Sequence, residues 1–150
     1  MVEALAVLTC TVVGLMVGVE VAVALFVNPL LLRLPAGPSL QARADGGRVL
    51  GRLMPFWYIG STALAAVLAA VGWGTASGVP ALAAAVLLAG SVVLSVVFLV
   101  PINDRSTSWT AEDHPVDWRE QHHRWDRLHH VRVAVIVTAF VLVAVAGVGV

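Results

Sequence analysis

The chain has 150 residues, 59% of them hydrophobic and 12% charged, with a formal net charge of zero. Soluble domains carry about 25% charged residues, and the mean hydropathy here is +0.92, so the composition describes an integral membrane protein rather than a globular domain with a large core. Zero net charge removes the case for a nucleic-acid footprint. The single cysteine, Cys10, sits in an apolar run and excludes an intrachain disulfide or a CxxC redox pair.

Four apolar stretches are long enough to span a bilayer: roughly Ala4–Val27, Phe56–Gly74, Ala81–Val100 and Val131–Val150. The first begins with Glu3 rather than a basic residue and is too long for a signal-peptide core. Asn28-Pro29 ends it, because proline disfavours helix in the residue before it. The segment Leu30–Pro55 reads as a mostly irregular loop with a short amphipathic piece near Leu40–Leu53. Gly78-Val79-Pro80 turns the chain between spans two and three, and Val100-Pro101 closes span three.

The expected fold class is all-α: an antiparallel, integral membrane four-helix bundle, with residues 1–150 as one domain. The first loop holds Arg33, Arg43, Arg48 and Arg52, and the third holds Arg105, Arg119, Arg124 and Arg127. The middle loop has no charge. The positive-inside rule puts the first and third loops in the cytoplasm and both termini outside, N-out/C-out. All nine basic residues are arginine. With abundant Ala, Val and Gly, this suggests a GC-rich bacterial genome and a multi-pass protein of the inner (plasma) membrane. Gly14 and Gly18 form a GxxxG pattern that permits close helix contact, within the bundle or in a homo-oligomer.

The most informative pattern is Trp118, His122, Trp125, His129 and Arg132, spaced four, three, four, three. That is one stripe of a helix, which extends span four back to about residue 117. The opposite face holds His123, Arg124, Arg127 and His130, expected in solvent or among headgroups. Other polar groups gather at the same end: Glu20 in span one, Arg52, Trp57 and Tyr58 at the start of span two, and Ser91, Ser95 and Phe98 down span three towards Asn103. An intramembrane carboxylate costs at least about 2.5–3.5 kcal/mol to insert. Glu20 therefore reads as a metal ligand, a general base, or a partner of Arg132 or Arg52; the bland alternative is a protonated or snorkelling carboxylate. For a metal, the candidate ligands are His122, His129, Glu20 and Asp126, although the two histidines stand about 10 Å apart along the axis. For a base, His129 is preferred, since imidazole takes a proton near neutral pH. His114 reads as part of a solvated linker, with Asp117 as an N-cap or first-turn acid of the last helix.

Four short spans, the Val100-Pro101-Ile102-Asn103 end of span three and the Trp125-xxx-His129-xx-Arg132 start of span four resemble the anthrone oxygenase family. The resemblance covers essentially the whole chain. By position it implies functional roles for Asn103, Trp118, Trp125, His129 and Arg132. It also implies oxidation of electron-rich aromatics such as anthrones with dioxygen, a reaction used in polyketide tailoring.

The expectation is an oxygenase whose lipophilic aromatic substrate arrives through membrane lipid. Trp118, Trp125 and Phe98, with Trp57 and Tyr58 nearby, would contact its rings. His129 would act as base, Arg132 and Asn103 would stabilise developing charge, and Glu20 and His122 complete the candidate catalytic set. The cofactor is either none, with dioxygen alone as oxidant, or a copper or iron ion. The rival expectation is a non-enzymatic membrane protein that binds a lipophilic molecule or serves as an accessory subunit.

Overall fold

Four helices make up almost the whole chain in a computed structural model that describes residues 1–150. They are α1 (Val2–Leu32), α2 (Ala36–Val71), α3 (Gly78–Ser106) and α4 (Trp118–Val148), each long and apolar enough to cross a membrane. In lipid every backbone N–H and C=O must find a partner within the protein, so uninterrupted runs of Ala, Val and Leu fold as helices. The chain is a multi-pass integral membrane protein.

Helix α1 packs on α2, α2 on α3, α3 on α4 and α4 back on α1, so α2 and α4 face each other across the bundle. The C-terminus meets the α2–α3 turn, where a Cβ on Gly149 would lie 3.2 Å from Ala76 and Ser77. That turn passes through Gly74 at φ +83°, a backbone conformation open to glycine. At the other end, Arg119 donates to the Leu32 carbonyl at 3.1 Å and Arg48 to the Thr107 carbonyl at 3.0 Å. The first bond links the end of α1 to the start of α4, and the second links α2 to the connection after α3.

Small residues set the spacing of the interior. Ala6, Ala69, Ala81 and Ala146 close one end around Leu68. Val13, Met16, Ala84, Leu88, Ile136 and Val143 fill the middle. Where Phe140 crosses α1, a Cβ on Gly14 would stand 2.9 Å from its ring. Gly14 thus serves the α1–α4 contact inside the bundle.

The structure corrects the reading of the first loop. Helix α2 begins at Ala36, immediately after Pro35, and runs without a break through Leu40–Leu53 and Pro55 into span two. Pro38 falls in its first turn, where the missing N–H would lack a helical partner anyway. Only residues 33–35 are irregular between α1 and α2.

Pro29 and Pro101 do not end their helices either. Each follows a π-helical segment, Val23–Val27 and Ser95–Leu99 respectively. A helical proline crowds the carbonyl four residues back. Those carbonyls belong to Leu25 and Val97, inside the wider π turns that absorb one extra residue. The wide turn also resets the face of α3. Ser91 and Leu99 are buried, while Phe98 turns outward and is 49% exposed.

Candidate functional site

All four helices contribute to one polar knot at the end of the bundle opposite the termini. Glu20 of α1 is buried and accepts from the Tyr58 hydroxyl of α2 at 3.1 Å. Its other carboxylate oxygen accepts from Arg132 Nη2 of α4 at 2.7 Å. Arg132 Nη1 donates to Ser95 Oγ of α3 at 2.9 Å. Of the partners open to Glu20, the structure selects Arg132; Arg52 lies exposed on the surface. The π turn of α3 lies next to this knot and begins at Ser95.

His129 sits behind the knot, fully buried. Arg132 Nη2 approaches its Nδ1 at 3.0 Å. A guanidinium only donates, so in this contact Nδ1 accepts; Nε2 is buried and has no partner. Trp125 stacks on the same imidazole at 4.8 Å between centroids and 28° between planes.

A second ion pair lies further along the same end. Arg43 of α2 grips Asp126 of α4 with two hydrogen bonds, 3.2 and 3.0 Å, and contacts the Asn28 carbonyl of α1 at 3.4 Å. A bidentate fork of this kind fixes the orientation of both groups.

Beside these two pairs is a cavity of about 360 Å³, within the range of small-molecule sites, roughly 300–1,000 Å³. Glu20, Tyr58, Asn103, His122, Trp125 and Arg132 line it, together with an apolar wall that includes Val23, Leu50, Met54 and Leu99. Ile59 of α2 and Val96 of α3 also line it, yet each is 61% exposed. The cavity therefore reaches the lipid-facing surface between α2 and α3. A shallow groove continues outward from there along Thr62, Ala63, Ala66 and Ala89.

His122 is 3% exposed, and neither of its ring nitrogens has a hydrogen-bond partner. Buried polar atoms are normally paired. Here two lie unpaired on one imidazole at the cavity wall, and the buried Asn28 Nδ2 and Trp125 Nε1, which line the same space, are also unpaired. Aromatic rings hold His122 in place: Trp118 meets it edge-on at 5.6 Å and Trp109 lies tilted at 5.4 Å. Trp109 sits in the connection before α4, where no helical period in the sequence marks it.

The candidate residues thus divide. Glu20, Asn103, Tyr58, His122, Trp125 and Arg132 line the cavity. His129 and Trp118 stand behind that wall. Phe98 points outward, and Trp57 donates through Nε1 to the Val12 carbonyl at 3.0 Å, fastening α2 to α1. The α4 stripe itself runs inward: Trp118, His122 and His129 are buried and Trp125 and Arg132 half-buried, with Asp126 buried beside them, while His123, Arg124, Arg127 and His130 are exposed. His114 is half-buried rather than fully solvated, its ring 5.9 Å from that of Trp118. Asp117 occupies the N-cap position of α4 without a side-chain cap bond.

Of the four candidate metal ligands only His129 and Glu20 come together, with Nδ1 3.5 Å from the carboxylate. No group of three or more His, Cys, Asp and Glu side chains is placed to hold a metal ion. Glu20 already faces the Arg132 guanidinium, and Asp126 faces that of Arg43. A further cation at either carboxylate would lie beside a fixed positive charge. The residues present do not fit copper or iron.

Residues 47–142 match the anthrone oxygenase family. The chain belongs to that family. The matched region contains the cavity-lining parts of α2 from Gly47 onward, all of α3, and α4 as far as Leu142. Tyr58, Ser95, Asn103, His122, Trp125 and Arg132 fall within it, whereas Glu20, Asn28 and Arg43 lie outside. No curated protein and no solved structure matches the chain. In this member of the family, the matched helices supply the guanidinium and the indole, and α1 supplies the carboxylate that neutralises the guanidinium.

Proposed function

We propose that the chain is an oxygenase of a bacterial inner membrane. It would oxidise a lipophilic, electron-rich aromatic of the anthrone or phenol type with dioxygen, at the cytoplasmic end of the bundle. The observation that carries this reading is His122: a buried imidazole with both nitrogens free, on an apolar cavity that opens to lipid. The family membership supplies the reaction class, and the arginine-rich connections at this end supply the sidedness.

Substrate dissolved in the bilayer enters between α2 and α3 and lies against Trp125. His122 takes a proton from the acidic ring methylene or hydroxyl, in place of His129, whose Nδ1 already accepts from Arg132. Burial disfavours a charged imidazole; the substrate anion formed in the same step supplies the counter-charge. Asn103, the Asn28 amide and the Trp125 N–H are donors at the cavity wall placed to stabilise that anion.

The anion reduces dioxygen by one electron, and radical recombination forms a carbon–oxygen bond to give a hydroperoxide at the former methylene carbon. Loss of the second carbon-bound proton then breaks the O–O bond and leaves a carbonyl. One oxygen atom stays in the quinone and the other departs as water. The methylene loses four electrons and dioxygen gains four, so no external reductant is required.

Protein purified in mild detergent should consume one dioxygen per anthrone converted to quinone. Saturable binding of the anthrone without dioxygen uptake would instead establish the binding-protein reading. Absence of both would remove the cavity as an aromatic site.

A further inference from the structure

His122 is buried, and both of its ring nitrogens are unpaired. A carboxylate is nevertheless close along the same helix. Asp126 follows four residues later and is also buried. Side chains at that spacing lie one above the other on one helix face, about 5–6 Å apart at Cβ. A carboxylate so near favours the charged form of an imidazole, so an imidazolium–carboxylate pair is the ordinary outcome. The structure shows no bond between the two.

Arg43 accounts for this. It reaches Asp126 from α2, across the bundle, donating through Nη1 to Oδ1 at 3.2 Å and through Nη2 to Oδ2 at 3.0 Å. Both carboxylate oxygens are thereby taken. Nη2 also contacts the Asn28 carbonyl at 3.4 Å, which ties the fork to α1. The other surroundings of His122 bring no carboxylate. His123, on the same helix, is exposed; His114 packs on Trp118; α1 and α3 present the uncharged Asn28 and Asn103. The imidazole precedes the apolar run that begins at Val131. Burial is the main obstacle to a proton on its ring, and the Arg43 charge adds to it.

We propose that Arg43 is a positioning residue: by holding both oxygens of Asp126 it keeps that carboxylate off His122, so both imidazole nitrogens stay open to a ligand in the cavity. This rests on the reading of His122 as the group that takes the substrate proton. Arg43 precedes the family-matched residues 47–142, so the control of His122 comes from outside the matched region. Without Arg43, Asp126 would turn to His122, and the imidazole would hold a proton that blocks it as a base.

The test uses two readouts on the full chain in detergent. One is the pH dependence of anthrone oxidation. The other is NMR of chain labelled at histidine, which reports protonation of His122 whether or not the protein turns over; the His122 signal is assigned by its absence from His122→Ala. The variants are Arg43→Gln, Arg43→Lys and Arg43→Gln/Asp126→Asn. Buried pairs tolerate loss of both charges better than loss of one, so the double variant serves as the folded reference. Thermal unfolding is recorded for each.

In Arg43→Gln, the pH below which oxidation fails should move up by about 1–3 units, and His122 should gain its proton over the same range. Turnover should recover above that range. Arg43→Lys, which keeps the charge but replaces the fork by a point contact, should shift both readouts in the same direction and by less. The double variant should bring both back towards wild type, since no carboxylate remains to hold the proton. A purely structural role for Arg43 would not move the pH profile or be reversed by losing Asp126 as well. If Arg43→Gln does not fold, Arg43→Lys and the double variant carry the comparison. No shift of His122 in any folded Arg43 single variant would overturn the proposal. So would a double variant whose His122 is as protonated as in the single variants. Wild type that fails to oxidise anthrone would remove the base reading, and the NMR titration would still decide whether Arg43 keeps Asp126 from His122.

Discussion

Arg132 reaches from α4 to α1 and donates to Glu20 at 2.7 Å, with side chains only 11% and 4% exposed. The pair closes one wall of the cavity and joins helices that the chain order separates most widely. Removing one partner leaves a buried charge uncompensated, which costs about 3–5 kcal/mol in comparable sites. Arg132→Met and Glu20→Gln should each lower the unfolding temperature in detergent. The double variant should lose less than the sum of the two. Additive losses would show that the two charges are not coupled.

His122 and His129 should respond differently to substitution. His122→Ala should lower anthrone oxidation by about 10²–10⁴-fold, the usual range for loss of a general base, while anthrone binding persists. His129→Ala removes the acceptor for Arg132 and the ring on which Trp125 stacks. It should therefore lower thermal stability and anthrone affinity together. Full turnover by His122→Ala would return the base assignment to another group.

Phe98 and Trp125 offer a second contrast. Phe98 points away from the cavity and is 49% exposed, so Phe98→Leu should leave the KM for anthrone at its wild-type value. Trp125→Leu removes an aromatic wall of the cavity and a free N–H, and should raise KM. A larger effect at Phe98 than at Trp125 would contradict the register of α3 after its π turn.

Gly14 and Phe140 form a steric pair. A methyl group at residue 14 would stand 2.9 Å from the Phe140 ring, and overpacking of this kind costs about 1–3 kcal/mol. Gly14→Ala should be destabilised, and Gly14→Ala/Phe140→Leu should recover much of the loss. Thermal unfolding of the two variants provides the comparison. If the second substitution brings no recovery, the α1–α4 contact is not limited by that ring.

The inward stripe of α4 was legible from spacing alone, because four-three periodicity holds wherever a helix is unbroken. The same logic failed on α3: Ser91, Ser95 and Phe98 have helical spacing, but the π turn before Pro101 adds a residue and sends Phe98 outward. A signal for this was present. Phe26-Val27-Asn28-Pro29 and Phe98-Leu99-Val100-Pro101 share a Phe-x-x-Pro pattern at equivalent places in the two hairpins, and both prolines follow π segments. On α2, Arg43, Gly47, Leu50, Met54 and Tyr58 already showed a helical period. The prolines at 35, 38 and 55 concealed it, although two of them belong at a helix start and the third does not break the helix.

The sequence by itself determined the class of protein, the four spans, the family and the inward face of α4. Each of these depends on composition or on neighbours in one helix. Only the tertiary structure decided which groups share a space. It paired Glu20 with Arg132 rather than Arg52, gave Asp126 to Arg43, set His129 behind the wall and left His122 free at the cavity. Those outcomes depend on how helices far apart in the chain are rotated against one another. Ridge packing, a glycine under Phe140 and two π turns set that rotation, and no local periodicity records it.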